Sequence, residues 1–148
     1  MALYPLKDKL REQAGAFSPL TELLGGLPTM RFWNVQLKPG ATYPAVVVRI
    51  LADPQPYAFP GPLPASFTVC ELVAWDTNPQ RLEQLDSAIQ DFIAAFNGGG
   101  LPVAPAPNAA PAQGNRILNR RDGFFPAPQQ PQYMRIFTAE FWNNPSVP

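Results

Sequence analysis

The feature that most limits what this chain can become is one amphipathic stretch, residues 79–96. Leu82, Leu85, Ile89, Phe92, Ile93 and Phe96 fall on a single helical stripe, while Arg81, Glu83, Asp86, Gln90 and Asp91 lie away from it. Asn78 is a good N-cap, Pro79 suits the first turn, and Asn97-Gly98-Gly99-Gly100 ends the run. Such a helix spans roughly 27 Å. Burying its six large apolar side chains, at about 1.5–3 kcal/mol each, is the largest single gross gain open to the chain. A stripe of that length needs a sheet to lie on.

The sequence offers the strands. Residues 43–51 are a β-branched run, apolar on both faces except for Arg49, as in a central strand covered on both sides. Residues 66–75 form the next strand. Further strands are expected around 115–125 and over 132–142, where Tyr133, Arg135, Phe137, Ala139 and Phe141 alternate with Met134, Ile136, Thr138, Glu140 and Trp142. Residues 31–37 also alternate, Trp33, Val35 and Leu37 against Asn34 and Gln36, and Lys38-Pro39-Gly40 is a turn signal. Ahead of these, Leu3, Leu6, Leu10, Ala14 and Phe17 predict a helix over 3–17, with Lys7, Asp8, Lys9, Arg11 and Glu12 on its outer side. Ser18 as N-cap and Pro19 at the first position predict a second, short helix to Leu24, stopped by Gly25-Gly26. The expected fold is therefore α+β: a mainly antiparallel sheet of about four to five strands, one long helix packed on it, and N-terminal helices.

A chain of 148 residues fits a single domain, 1–148. Proline is the compositional outlier: of 20 in the chain, most fall in 53–64, 102–111 and 126–148. Residues 53–64 read as a loop or open hairpin, 97–115 as a long low-complexity loop that includes Pro102, Pro105 and Pro107, and 143–148 as a free tail. Pro-rich loops are semi-rigid and suit fixed protein contacts. The loop 97–115 is expected to be exposed and to serve, if anywhere, in contacts with other protein subunits, copies of this chain or a different one.

Charge and chemistry exclude more than they assign. Only 15 % of residues are charged, against about 25 % typically, and Lys+Arg balances Asp+Glu at 11 each. A neutral chain has no general basic footprint for nucleic acid. Low charge suits life inside an assembly. No run of about 18 apolar residues predicts a membrane span, and the N-terminus lacks a signal-peptide pattern.

There is no histidine, which removes the commonest general base and metal ligand and rules out Ser-His-Asp and Cys-His arrangements. The one cysteine, Cys70, sits in mid-strand and reads as a buried structural thiol. Asp86 and Asp91 are five apart and do not share a helix face closely; Asp76 belongs to the start of the long helix. Gly98-Gly99-Gly100 is a helix stop with no following Lys-Ser/Thr, not a phosphate loop. No enzyme, cofactor or metal site is expected.

Two groups of residues keep a functional reading beside a structural one. Arg116, Arg120 and Arg121, with Asp122, make the one basic cluster: a contact for an acidic partner or passing DNA, or a solvated hairpin turn from Asn119 to Gly123. The aromatics Phe32, Trp33, Phe124, Phe125, Phe137, Phe141 and Trp142 are core or subunit interface. Arg49 and Glu71 each interrupt an apolar strand and are candidates to pair across it.

Three segments carry a family resemblance. PLTELLGG runs into RFWNVQLKPGATYPAVVVRI, with Phe32-Trp33, then Pro39-Gly40, then Tyr43-Pro44-Ala45-Val46-Val47; ASFTVCELVAWDTNPQRLEQLDSAIQDFI is a strand ending in Trp75, a polar turn and a long helix; MRIFTAEFW is a final strand. In order and pattern these resemble the tail-terminator or tail-completion proteins of long-tailed bacteriophages. The insertions at 53–64 and 97–115 are longer and richer in proline than that family's usual loops. The resemblance implies a structural virion protein, assembled in the host cytoplasm: a ring, usually a hexamer, on the head-proximal end of the tail tube. Such a ring stops tube polymerisation and offers the surface that joins the head. The implied partners are other copies of the chain, the tail tube protein, the head-completion or connector protein, and genomic DNA passing through the lumen without sequence-specific binding. Another neck component, an adaptor or stopper, and a protein-binding module of non-phage origin are the alternatives. On this reading Arg116, Arg120, Arg121, Phe124, Phe125, Pro102, Pro105 and Pro107 are the candidate interface.

Overall fold

In the computed structural model the described residues are 6–26, 29–37, 42–52, 57–58, 61–62, 66–96, 115–126 and 131–143. They build the expected α+β architecture. The elements run α1 (Leu6–Ala16), α2 (Ser18–Leu23), β1 (Phe32–Asn34), β2 (Ala45–Ala52), β3 (Tyr57–Ala58), β4 (Gly61–Pro62), β5 (Ser66–Asp76), α3 (Pro79–Ala95), β6 (Arg116–Phe125) and β7 (Gln132–Asn143). The main sheet has the order β1-β2-β5-β7-β6. Only the β1–β2 pair is parallel; β2–β5, β5–β7 and β7–β6 are antiparallel. The small β3–β4 pair, Tyr57 opposite Pro62 and Ala58 opposite Gly61, gives the Pro-rich 53–64 region a short hairpin.

The long helix forms as its sequence dictates. Asn78 Oδ1 accepts from the backbone N–H of Gln80 (2.9 Å) and Arg81 (3.3 Å), satisfying donors of the first turn. Asp76, fully buried, locks the turn before it: Oδ1 accepts from Asn78 N–H at 3.1 Å, and Arg81 grips both carboxylate oxygens at 2.7 Å. This pairing raises the Arg81 pKa further. The stripe from Leu82 to Phe96 is buried against one face of the sheet, on Val46 and Val48 of β2, Cys70, Leu72 and Ala74 of β5, and Phe137, Ala139 and Phe141 of β7. Phe17, Phe92, Phe96 and Phe141 form a chain of edge-to-face ring contacts, with centroids 5.2–6.1 Å apart.

Several sequence expectations need correction. Ser18 does not cap α2. Phe17 occupies the cap position in an extended conformation without a side-chain cap, because its ring is anchored in the core; Ser18 and Pro19 are the first two helical residues. The helix does end at Gly25-Gly26, both at positive φ (95° and 75°), with Gly26 N–H reaching back to Thr21 O at 2.8 Å. The strand expected over 31–37 stops at Asn34, since Val35 turns to φ 77° and takes the chain out of the ladder.

Lys9, placed on the outer side of α1 by its periodicity, is buried, and its Nζ donates to Asn143 Oδ1 at 2.8 Å. Burial pushes the Lys9 pKa down. Asn143 in turn is the last residue of β7 rather than the start of a tail; residues 144–148 lie outside the described residues. Strand β2 is expected to be covered on both sides, but among the described residues helices lie on one side of it. Val46 and Val48 face the helices, Val47 faces the other way, and Arg49, Ile50 and Leu51 are exposed.

Asn115 was expected at the edge of a structureless loop. It is 1 % exposed and ties three elements: Nδ2 donates to Phe96 O (2.6 Å) and Ile93 O (3.3 Å) at the end of α3, and Oδ1 accepts from Trp142 N–H (2.9 Å) of β7. It thereby satisfies carbonyls that a helix C-terminus leaves open.

Candidate interaction surface

The strand registers sort side chains onto two faces. Opposite the helices, cross-strand rows run Trp33–Val47–Val73–Ile136–Arg121, Ala45–Trp75–Met134–Gly123 and Arg49–Glu71–Thr138–Asn119. Among the described residues no helix lies on this face, yet it is rich in apolar side chains. With residues 35–37 it encloses a concavity of about 410 Å³, lined by Val47, Val73, Trp75, Met134 and Ile136 and rimmed by Arg49, Glu71 and Arg121. Glu71, nearly buried, bridges two guanidiniums: Arg49 at 2.5 Å and Arg121 at 3.5 Å. Arg49 and Glu71 thus pair as their interruption of two apolar strands suggested, standing directly opposite each other.

The basic cluster is not a hairpin turn. Asn119–Gly123 lies in the middle of β6, a ten-residue edge strand, with one bulge between Ile117 and Asn119. The strand sends its arginines to different partners. Arg116 pairs with Glu140 (3.2 Å) and Arg121 with Glu71 on the helix-free face, whereas Arg120 reaches Asp86 (3.2 Å) on α3. A pleated strand separates neighbours onto opposite faces, so the cluster seen in sequence is dispersed in space.

On the helix side of the same edge lies an ion network that the sequence did not suggest. Arg135 of β7 bonds Glu83 (2.7 Å), Asp122 (2.5 Å) and Asp86. These carboxylates raise its pKa, the hydrogen bonds to Glu83 first. Asp86, expected on the polar side of α3, is 3 % exposed because Arg120, Arg135 and Gln90 surround it. Glu83 and Asp122 stay open to solvent at 64 % and 71 % side-chain exposure. Next to them a second concavity of about 380 Å³ is lined by Pro79, Leu82, Tyr133 and Phe124.

The aromatics divide. Phe32, Phe137 and Phe141 are core; Trp33 and Trp142 are half-buried; Phe124 and Phe125 are 54 % and 55 % exposed at the end of β6, Phe124 with its ring 5.3 Å from that of Tyr133. Pro102, Pro105 and Pro107 lie outside the described residues. Cys70 is buried in β5, and among the described residues no group of three His, Cys, Asp or Glu side chains could hold a metal ion. No helix among them is long and apolar enough to cross a membrane. The signal for the Arg135 network was absent from local sequence, since its carboxylates lie 13 to 52 residues from Arg135. The helix-free concavity was legible in part, through the two-sided apolar run of β2.

Compared with known proteins, the chain matches no family model and no curated protein.

Proposed function

We propose that this chain is a structural ring subunit at the head-proximal end of a long phage tail, where it ends growth of the tail tube and offers the joining surface for the head. The observation that carries the reading is spatial. The three segments that resemble tail-terminator proteins become β1 and β2, β5 and α3, and β7, which are contiguous in one sheet-and-helix unit. The segments that carry the resemblance are thus packed together in this chain. Two further features support it. The sheet keeps an apolar helix-free face and an edge strand with exposed aromatics, which suit repeated contacts between subunits. The zero net charge suits a lumen through which DNA must slide. The protein works by contact and not by turnover.

The test is negative-stain imaging and light scattering of the purified chain with and without tail tubes. Small rings that cap tube ends are expected. A chain that remains monomeric and ignores tubes overturns the reading. Rings that bind portal-side proteins but leave tubes uncapped move it to an adaptor or stopper of the same neck.

A further inference from the structure

We infer that one copy of this chain docks its Phe124 edge into the helix-free concavity of the next. The two patches are complementary in charge and in apolar character. The concavity has an apolar floor, Val47, Val73 and Ile136 among it, and its rim sets two guanidiniums, Arg49 and Arg121, against the single carboxylate of Glu71. Its surplus is positive, and both arginines are about half exposed, at 53 % and 52 %. The Phe124 edge has the opposite balance: Glu83, Asp86 and Asp122 against Arg120 and Arg135. Its surplus is negative, and the carboxylates most open to solvent, Glu83 and Asp122, flank an exposed aromatic ring.

A second copy of the chain is the occupant that fits because the chain carries both halves of the match. The surpluses of the two patches are equal and opposite, so they cancel within a chain of zero net charge. One patch lies among the strand residues that face away from the helices and the other beside α3, the two meeting at Met134, and their charged residues are separate, so that each can face a different neighbour. Contacts of this kind are heterologous: each copy offers a different patch to each neighbour, and the arrangement closes into a ring or runs on as a filament. Opposed charges on the rims set orientation, and the apolar centre supplies the burial. The inference deepens the ring reading by naming its contact.

Light scattering on the full chain tests it with charge reversals. Glu83→Arg and Arg121→Glu are each expected to shift the wild-type multimer to monomer. A one-to-one mixture of the two restores it, because each reversed patch then meets a reversed or native patch of opposite sign, and so does the double variant. Phe124→Ser is expected to lose the multimer while keeping the fold, read as an unchanged far-ultraviolet circular dichroism spectrum and a cooperative unfolding transition. It covers the case in which a charge reversal fails to fold.

Three outcomes overturn the contact. One is a wild type that is monomeric at every concentration. Another is a symmetric dimer that survives Glu83→Arg and Phe124→Ser, which would mean that two helix-free faces meet. The third is a multimer unaffected by all three variants, which leaves the ring reading intact but places its interface elsewhere. A chain that associates as described yet never caps tubes keeps the contact and loses the tail reading.

Discussion

The two faces of the sheet are made by the same strands, residue by residue in alternation, yet they differ in kind. The helix face is dry: Val46, Val48, Leu72, Phe137 and Phe141 are at most 1 % exposed under α3 and the N-terminal helices. The other face is also rich in apolar side chains, but among the described residues no helix lies on it: Val47 and Val73 are buried beside residues 35–37, Trp75 and Ile136 are partly open, and Glu71 ties Arg49 to Arg121. One face holds the monomer together. The other buries Val47 and Val73 within the chain but leaves Trp75, Met134 and Ile136 partly open, and that remaining apolar area leaves water only on association.

The sharpest way to break this contrast uses two neighbours on β7 that point to opposite faces. Phe137→Ala removes a fully buried ring and is expected to cost about 3–5 kcal/mol in denaturant unfolding. Ile136→Ala, on the helix-free face, should cost the monomer only about 1 kcal/mol, because its side chain is partly solvated already. Similar losses at the two positions would mean that the helix-free face is covered within the monomer.

Next in size is Asn115→Ala. It strips the partners from two α3 carbonyls and from Trp142 N–H, and a loss of about 1–3 kcal/mol is expected from the groups left unsatisfied. Hydrogen exchange should show the loosening at the end of α3 and at Trp142 first. Protection unchanged at both places would deny Asn115 its role as the tie between helix and sheet.

Smaller still is the ion pair on the open face. Arg49 is half exposed, which screens the pair, but Glu71 is nearly buried and directly opposite, so Arg49→Glu should cost the monomer about 1–2 kcal/mol. The swap Arg49→Glu with Glu71→Arg should recover part of that loss. If the swapped chain is less stable than both single variants, the row is held by packing around Glu71 rather than by charge.

The smallest effect concerns pH and lies under α1. The folded-state pKa of Lys9 is depressed below 10.5 by desolvation. Between that lowered value and 10.5 the unfolded chain binds more protons than the folded one, so stability rises with pH across this window. The difference in unfolding free energy between wild type and Lys9→Met should therefore grow in favour of wild type as pH climbs toward 10.5. A flat or falling difference would show that the ammonium is as well solvated in the fold as out of it.

Much of the fold was legible because it rests on local periodicity. The stripe of α3, its Asn78 cap and the alternation of β7 each need only a dozen adjacent residues, and each formed where it was expected. What escaped rests on partners far away in sequence. Lys9 looked solvated because its acceptor, Asn143, is 134 residues away. Asp86 looked solvated because Arg120 and Arg135 reach it from another layer. Arg116, Arg120 and Arg121 looked like one cluster because adjacency in sequence hides the pleat that separates neighbours. Ser18 lost the cap position to Phe17 because burying a ring outweighs one capping hydrogen bond.

By itself the sequence determined that this chain is α+β, that its long helix needs a sheet, and that a histidine-dependent site is closed to it. These follow from side-chain spacing and from which residue types exist at all. Only the tertiary structure decided which face of the sheet α3 and the N-terminal helices cover, that Arg49 and Arg121 converge on Glu71, and that three carboxylates gather around Arg135 beside Phe124. Strand order and register set those outcomes, and they bring together residues between which the linear chain holds no local signal.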